Sequence, residues 1–184
     1  MRRILSKSCR WCVLCALGGA AWTLPAQTPD PLSAEVKWMY GTIQNNLMKL
    51  AEKMPAENYS FRPTNDVETF GRRIAHIADA NMNVCTGLMG ERKPLGAASK
   101  TSKAELVAAL KESFAYCDGV FNSLTDATAA EKVSSRLGGP FPPEPTRSRL
   151  ATLYNLVRHS NEMYGYMAVY LRLKGIVPPT SAPE

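Results

Sequence analysis

Two histidines, His76 and His159, are the residues of this 184-residue chain best suited to binding a metal ion. Each precedes a residue of a predicted apolar helix stripe by one position, so both are expected to point into a helical bundle at similar depth. Two imidazoles alone make an incomplete site, because catalytic zinc normally uses three protein ligands and an open position. The alternative for each is an ordinary half-buried, hydrogen-bonded histidine on the flank of a helix.

The elements that would position these side chains are four amphipathic segments, in which apolar residues recur at spacings of three and four. Asp30 and Pro31 are typical of a helix start, with Asp30 as the N-cap, and Ser102 with Glu105 forms a capping box before the third segment. No alternation typical of strands competes with this pattern. We therefore predict an all-α four-helix bundle, whose helices carry apolar stripes over residues 36–54, 67–88, 106–124 and 150–171.

The first 26 residues are typical of a secretory signal peptide, with a basic start followed by a short apolar run over residues 11–24. The alternative is an uncleaved membrane anchor, but the run is too short to favour a membrane span. We expect a signal peptide at 1–26, a bundle domain at 27–184, and a secreted or periplasmic protein with no stable membrane span after cleavage.

The positive charge of the chain lies mostly in that first segment. Removing residues 1–26 takes away four of the 22 basic residues and none of the 16 acidic ones, so the formal charge falls from +6 to 18 − 16 = +2. The remaining basic residues are scattered, whereas nucleic-acid binding needs a basic patch or stripe. We expect no nucleic-acid partner, and leave open an unknown small molecule and a homodimer.

Two long stretches of the chain are "EKMPAENYSFRPTNDVETFGRRIAHIADAN" and "LVRHSNEMYGYMAVYLRLKGIVPPTS". Through these and the residues around them, from about Trp38 to Ser181, the chain resembles the exported branch of the DinB-like superfamily. The resemblance implies a four-helix bundle of up-down-down-up topology. It also implies a metal site built from one histidine of the second helix and an H-x-x-x-H pair of the last. Matched residue by residue, these positions are His76, His159 and Met163.

Met163 thus stands where the resemblance leads one to expect a third imidazole. A thioether suits soft metals such as Cu(I) and is a poor ligand for Zn²⁺ or Ni²⁺. Three interpretations follow: a site degenerated into ordinary core, with Met163 filling space; weak binding through two histidines with Glu162 or water; or a His/Met copper site. A bound Zn²⁺ or Ni²⁺ is therefore doubtful.

Two functions of different classes are compatible with these residues. The first is a non-catalytic or weakly metal-binding bundle protein that keeps the fold of the family but a degenerate His/His/Met site. The alternative is a metal-dependent hydrolase or thiol transferase, in which the metal activates water or a thiolate. The enzyme needs three ligands and an acid or base, and Glu162 is the one candidate for the latter.

Cys85 and Cys117 are the two cysteines outside the predicted signal peptide. In the topology that the resemblance implies, helices two and three run parallel, and both cysteines then lie at nearly the same level. An exported protein also favours oxidised cysteines. We predict a Cys85–Cys117 disulfide, with two buried free thiols as the alternative.

Export predicts cleavage after Ala26, because the basic start, the apolar run and a small residue at the cut occur together. N-terminal sequencing of the secreted protein should begin at Gln27. A protein that retains Met1 or Arg2 and stays in the inner membrane would instead identify residues 11–24 as an anchor.

Overall fold

The computed structural model describes residues 30–133 and 147–181, and the predicted signal peptide lies outside these ranges. Over the described residues the chain forms five α-helices and one short antiparallel pair of two-residue strands. The helices are α1 (Pro31–Lys53), α2 (Phe70–Leu88), α3 (Lys103–Asn122), α4 (Asp126–Ala129) and α5 (Arg149–Leu173), and the strands are β1 (Lys132–Val133) and β2 (Arg147–Ser148).

Helices α2 and α3 run parallel to each other. Near their first turns, a Cβ placed at Gly71 would lie 3.1 Å from Cδ1 of Leu106, so the Leu106 side chain packs directly on the backbone of α2 there. Near their last turns, the Cα atoms of Cys85 and Cys117 are 5.4 Å apart. The first turns of α2 and α3 are adjacent, and so are their last turns. The chain must therefore return over residues 89–102 before α3 begins.

The other two long helices run in the opposite direction. Lys103, the first residue of α3, donates to the carbonyl oxygens of Glu52 and Met54 at the end of α1, at 2.7 and 2.8 Å. The hydroxyl of Tyr170, near the end of α5, donates to the carbonyl oxygen of Glu68 just before α2, at 2.7 Å. The bundle therefore has the up-down-down-up topology, with α1 and α2 each packed against both α3 and α5.

The predicted apolar stripes form the core of the bundle. Stripe residues of all four long helices are buried, and the ring of Tyr40 stacks on that of Phe121 with centroids 3.7 Å apart. The stripe residues Val67 and Leu150 are exceptions, because they are only partly buried. Val67 lies before α2, which begins at Phe70, where the Thr69 hydroxyl caps the helix by accepting from the amide of Arg72 at 3.2 Å. The paired strands β1 and β2 were not predicted, because two-residue strands show no alternation.

The cap of α1 differs from the prediction. Asp30 occupies the predicted N-cap position with φ 61°, but its side chain makes no cap hydrogen bond to its own helix. Instead, the Asp126 carboxylate accepts from the amides of Leu32 at 3.2 Å and Ser33 at 2.8 Å, while the Asp126 amide donates to the Asp30 carboxylate at 2.8 Å. Burial raises the pKa of Asp126, but these hydrogen bonds outweigh it and hold the pKa below its usual range. We call this exchange the reciprocal Asp30/Asp126 cap.

None of the helices within residues 30–133 and 147–181 combines the length and apolar character that crossing a bilayer requires.

The structure pairs Cys85 with Cys117, which supports the predicted disulfide. Both residues are buried between α2 and α3, and the bridge closes a loop with a sequence separation of 32. In the chain-entropy account, such a bridge stabilises a protein by restricting its unfolded chain.

Unfolding the purified mature protein, which lacks residues 1–26 and their three cysteines, should expose no reactive thiol in the absence of reductant, as measured by thiol titration in denaturant. Reduction should lower the free energy of unfolding by about 3–4 kcal/mol, as expected for a loop of this length. The double variant Cys85→Ala/Cys117→Ala serves as the control, since reductant should leave its denaturation midpoint unchanged. Two reactive thiols in the unreduced protein would contradict the bridge.

Candidate functional site

The structure brings together the two histidines. Nε2 of His76 on α2 lies 3.0 Å from Nε2 of His159 on α5, and the ring centroids are 5.0 Å apart. Because these helices are antiparallel neighbours, the middle of one lies opposite the middle of the other. One imidazole must donate and the other accept, so this contact requires complementary tautomers in the neutral pair.

The pair lies at the surface of the groove between α2 and α5, and not in the bundle interior where the sequence placed it. His76 is exposed and His159 is half-buried. The core positions belong to the next residues, Ile77 and Ser160, which are both buried. One residue along a helix corresponds to about 100° of rotation, which turns each imidazole from the core towards the groove.

The surroundings of His159 favour its neutral form. Desolvation lowers the pKa of His159 most, and the neighbouring charges of His76 and Arg158 lower it further, against an opposing effect of Glu162. A neutral imidazole is the form that binds metals. The lone pair or proton on its Nε2, however, is already engaged with His76.

Met163, one turn further along α5, is buried and faces a cation. Nη1 of Arg73 lies 3.9 Å from the Met163 sulfur, while Nε of Arg73 donates to the hydroxyl of Tyr170 at 3.1 Å. The guanidinium also stacks on Tyr166, 5.0 Å from the ring centroid. Arg73 precedes His76 by three residues, so both project from the same side of α2. The cation therefore lies next to the third ligand position.

Glu162 forms its hydrogen bonds with residues of its own helix, α5. One carboxylate oxygen lies 3.3 Å from Nη1 of Arg158, and the other accepts from the hydroxyl of Tyr166 at 3.0 Å. This matches its position, about 100° around the helix from Met163. The carboxylate affects the pKa of His159 through space, while it bonds directly to Arg158 and Tyr166.

The residues around the pair are a poor match for Zn²⁺ or Ni²⁺. They provide two imidazoles, a thioether and a guanidinium, whereas zinc sites normally have at least three nitrogen, oxygen or thiolate ligands. In the part of the chain that the structure describes, no three His, Cys, Asp or Glu side chains gather in a possible metal-binding group. Arg73 was not predicted as part of this site, although its spacing of three residues from His76 places it on the same face of α2.

The contacts of the histidine pair predict the pKa of His159 in metal-free protein kept in chelator. The pKa of His159, from an NMR titration of its ring protons, should lie below the ordinary value of 6.5. Glu162→Gln should lower it further and His76→Gln should raise it, because these changes remove opposite influences. The unfolded chain binds this proton more readily, so the contribution of His159 to stability is present above pH 6.5 and is lost as the pH falls through the folded pKa. Equal pKa values in all three proteins would contradict the arrangement.

Comparison with known proteins identifies the family. A model of the DinB superfamily matches residues 39–167, which include both histidines, Met163 and both cysteines. No curated protein matches the chain. Among solved structures, the crystal structure of a DinB-like protein from Bacillus cereus matches with a TM-score of 0.66 at 17% identity, over 79% of this chain and 95% of that one. At this identity the likeness concerns the fold. The family model, which spans more than half of the chain, shows that this protein belongs to the DinB superfamily.

Proposed function

We propose that this chain is an exported, non-catalytic member of the DinB superfamily whose metal site has degenerated to a weakly binding histidine pair. The observation that carries the proposal is the contact between the Met163 sulfur and the Arg73 guanidinium, at 3.9 Å. At the position where the resemblance calls for a third imidazole, the chain has a poor ligand beside a fixed positive charge.

Electrostatics supports weak binding of divalent ions. A unit charge and a divalent ion within about 5 Å of each other repel by several kcal/mol even at an effective dielectric constant of about 20. Arg73 is held in place by Tyr170 and Tyr166, so moving it away breaks a hydrogen bond and a stacking contact. The same repulsion opposes a copper ion on Met163, although a thioether would otherwise suit Cu(I).

The absence of an available acid or base argues against the enzymatic alternative. A hydrolase or thiol transferase needs a group that moves a proton within hydrogen-bond reach of the reacting atoms. Glu162, the candidate from the sequence, is bound by Arg158 and Tyr166. Both histidine Nε2 atoms are engaged with each other.

Export is supported by two independent features of the chain. The basic and apolar pattern of residues 1–26 is typical of secretion. The pairing of Cys85 with Cys117 suits an oxidising compartment, where disulfides form and persist.

Restoring a nitrogen ligand tests the degenerate site. Met163→His should raise the affinity for Zn²⁺ and Ni²⁺ by at least about tenfold in calorimetric titration, because residues four apart share a helix face. Adding Arg73→Gln to this variant should raise the affinity further by removing the adjacent charge. Val169→His places an imidazole on the exposed surface of the same helix and serves as the matched control, with no gain expected.

Wild-type behaviour decides between the two functions. Tight binding of Zn²⁺, Ni²⁺ or Cu(I) by the wild type, unchanged in Met163→Ala, would mean that another side chain completes the site and would favour the metal-dependent enzyme. No gain in Met163→His, with the fold intact by circular dichroism, would mean that His76 and His159 cannot converge on a common ion.

A further inference from the structure

A groove between α1 and α5 lies on the other side of α5 from the histidine pair. It has a volume of about 390 Å³, within the range of roughly 300–1,000 Å³ that is typical of small-molecule sites. Arg158 lines this groove, while His159, the next residue, faces α2. Two neighbouring residues of α5 thus face two different surfaces, and the proposed degenerate metal site leaves the groove between α1 and α5 without a role.

Two aromatic side chains form exposed walls of the groove. Trp38 of α1 is 71% exposed and Tyr154 of α5 is 50% exposed, while Ile43 and Val157, which also line the groove, are buried. Exposed aromatic residues grouped around an apolar floor mark binding surfaces more often than isolated exposed residues do. Rings of this kind bind flat apolar groups by stacking.

The polar residues of the groove are held in defined orientations. Nε of Arg158 donates to the side-chain oxygen of Asn155 at 2.9 Å, and Nη1 lies 3.3 Å from the Glu162 carboxylate. The Asn161 amide group donates to the carbonyl oxygen of Val157 at 2.9 Å, which fixes that side chain as well. A few oriented polar groups beside an apolar surface are what gives a ligand its orientation.

We propose that the groove between α1 and α5 binds a flat, largely apolar small molecule that carries an acceptor group such as a carboxylate or sulfonate. The rings of Trp38 and Tyr154 hold the flat part over Ile43 and Val157. The acceptor group bonds to the guanidinium of Arg158 in exchange for the Glu162 carboxylate, whose exposed ion pair with Arg158 at 3.3 Å contributes little stability. This choice follows from the size of the groove, from its aromatic walls and from the charge of Arg158.

The position of Trp38 provides a direct test. The chain has three tryptophans, so Trp11→Phe and Trp22→Phe in the full chain leave Trp38 as its one indole, whether or not residues 1–26 are removed. The probe is 8-anilinonaphthalene-1-sulfonate, and N-phenyl-1-naphthylamine, which lacks the sulfonate, is its matched analogue. We expect saturable quenching of Trp38 emission by the sulfonate probe and at least about tenfold weaker binding of the analogue.

Substitutions of groove residues test whether the sulfonate probe binds there. Tyr154→Ala should weaken binding at least about fivefold, and Thr42→Phe, which obstructs the groove from α1, should do the same if the first variant does not fold. Arg158→Gln should abolish the preference for the sulfonate. Met89→Ala removes an exposed methionine at the end of α2 and should change nothing.

Three outcomes would overturn the proposal. The first is an absence of saturable quenching, and the second is an equal loss of binding in Met89→Ala. The third is a Trp38 emission that changes on dilution without probe, together with a dimer that Trp38→Ala dissociates. This last result would identify the face as a contact between two copies of the chain.

Discussion

The parallel packing of α2 against α3 sets the direction of every other long helix. Two consecutive helices can run parallel only if the chain returns between them, and here Asp79 holds the return segment by accepting from the amides of Ala97 and Ala98, each at 2.9 Å. With both central helices pointing the same way, α1 and α5 must pack antiparallel to them. The opposition of His76 and His159 is a consequence of this arrangement, since it requires α5 to run back along α2.

The same backbone geometry can hold a metal site or a surface that needs no metal, and side-chain chemistry decides between them. Here the polar groups satisfy one another: Arg73 contacts Met163 and Tyr166, Tyr166 donates to Glu162, and Glu162 pairs with Arg158. A network closed in this way costs little to keep at a partly exposed groove. Opening it for a divalent ion would leave a cation beside the ion, which is the physical basis for the proposed loss of the family's metal chemistry.

Features that depend on neighbours in the sequence were predicted from spacing alone, whereas the two long-range pairings that were predicted, His76 with His159 and Cys85 with Cys117, depended on the family resemblance. The capping box of Ser102 and Glu105 forms as expected because both partners lie within one helical turn. Apolar spacing likewise predicted which side of each helix is buried. The contact of Arg73 with Met163 joins residues 90 positions apart, and it depends on how far α5 is shifted along α2. Periodicity predicts the face of α2 on which Arg73 lies but not this shift, so the contact of its guanidinium with the third ligand position could not be predicted.

The reciprocal Asp30/Asp126 cap bears on the order in which the chain can complete its fold. The amides of Leu32 and Ser33 bond to a carboxylate that lies 94 and 93 residues later. A chain that emerges from synthesis or translocation with its N-terminus first therefore presents α1 before its partner exists. The first turn of the first helix obtains its native cap only once Asp126, the first residue of α4, has arrived, so the earliest helix to emerge is completed late.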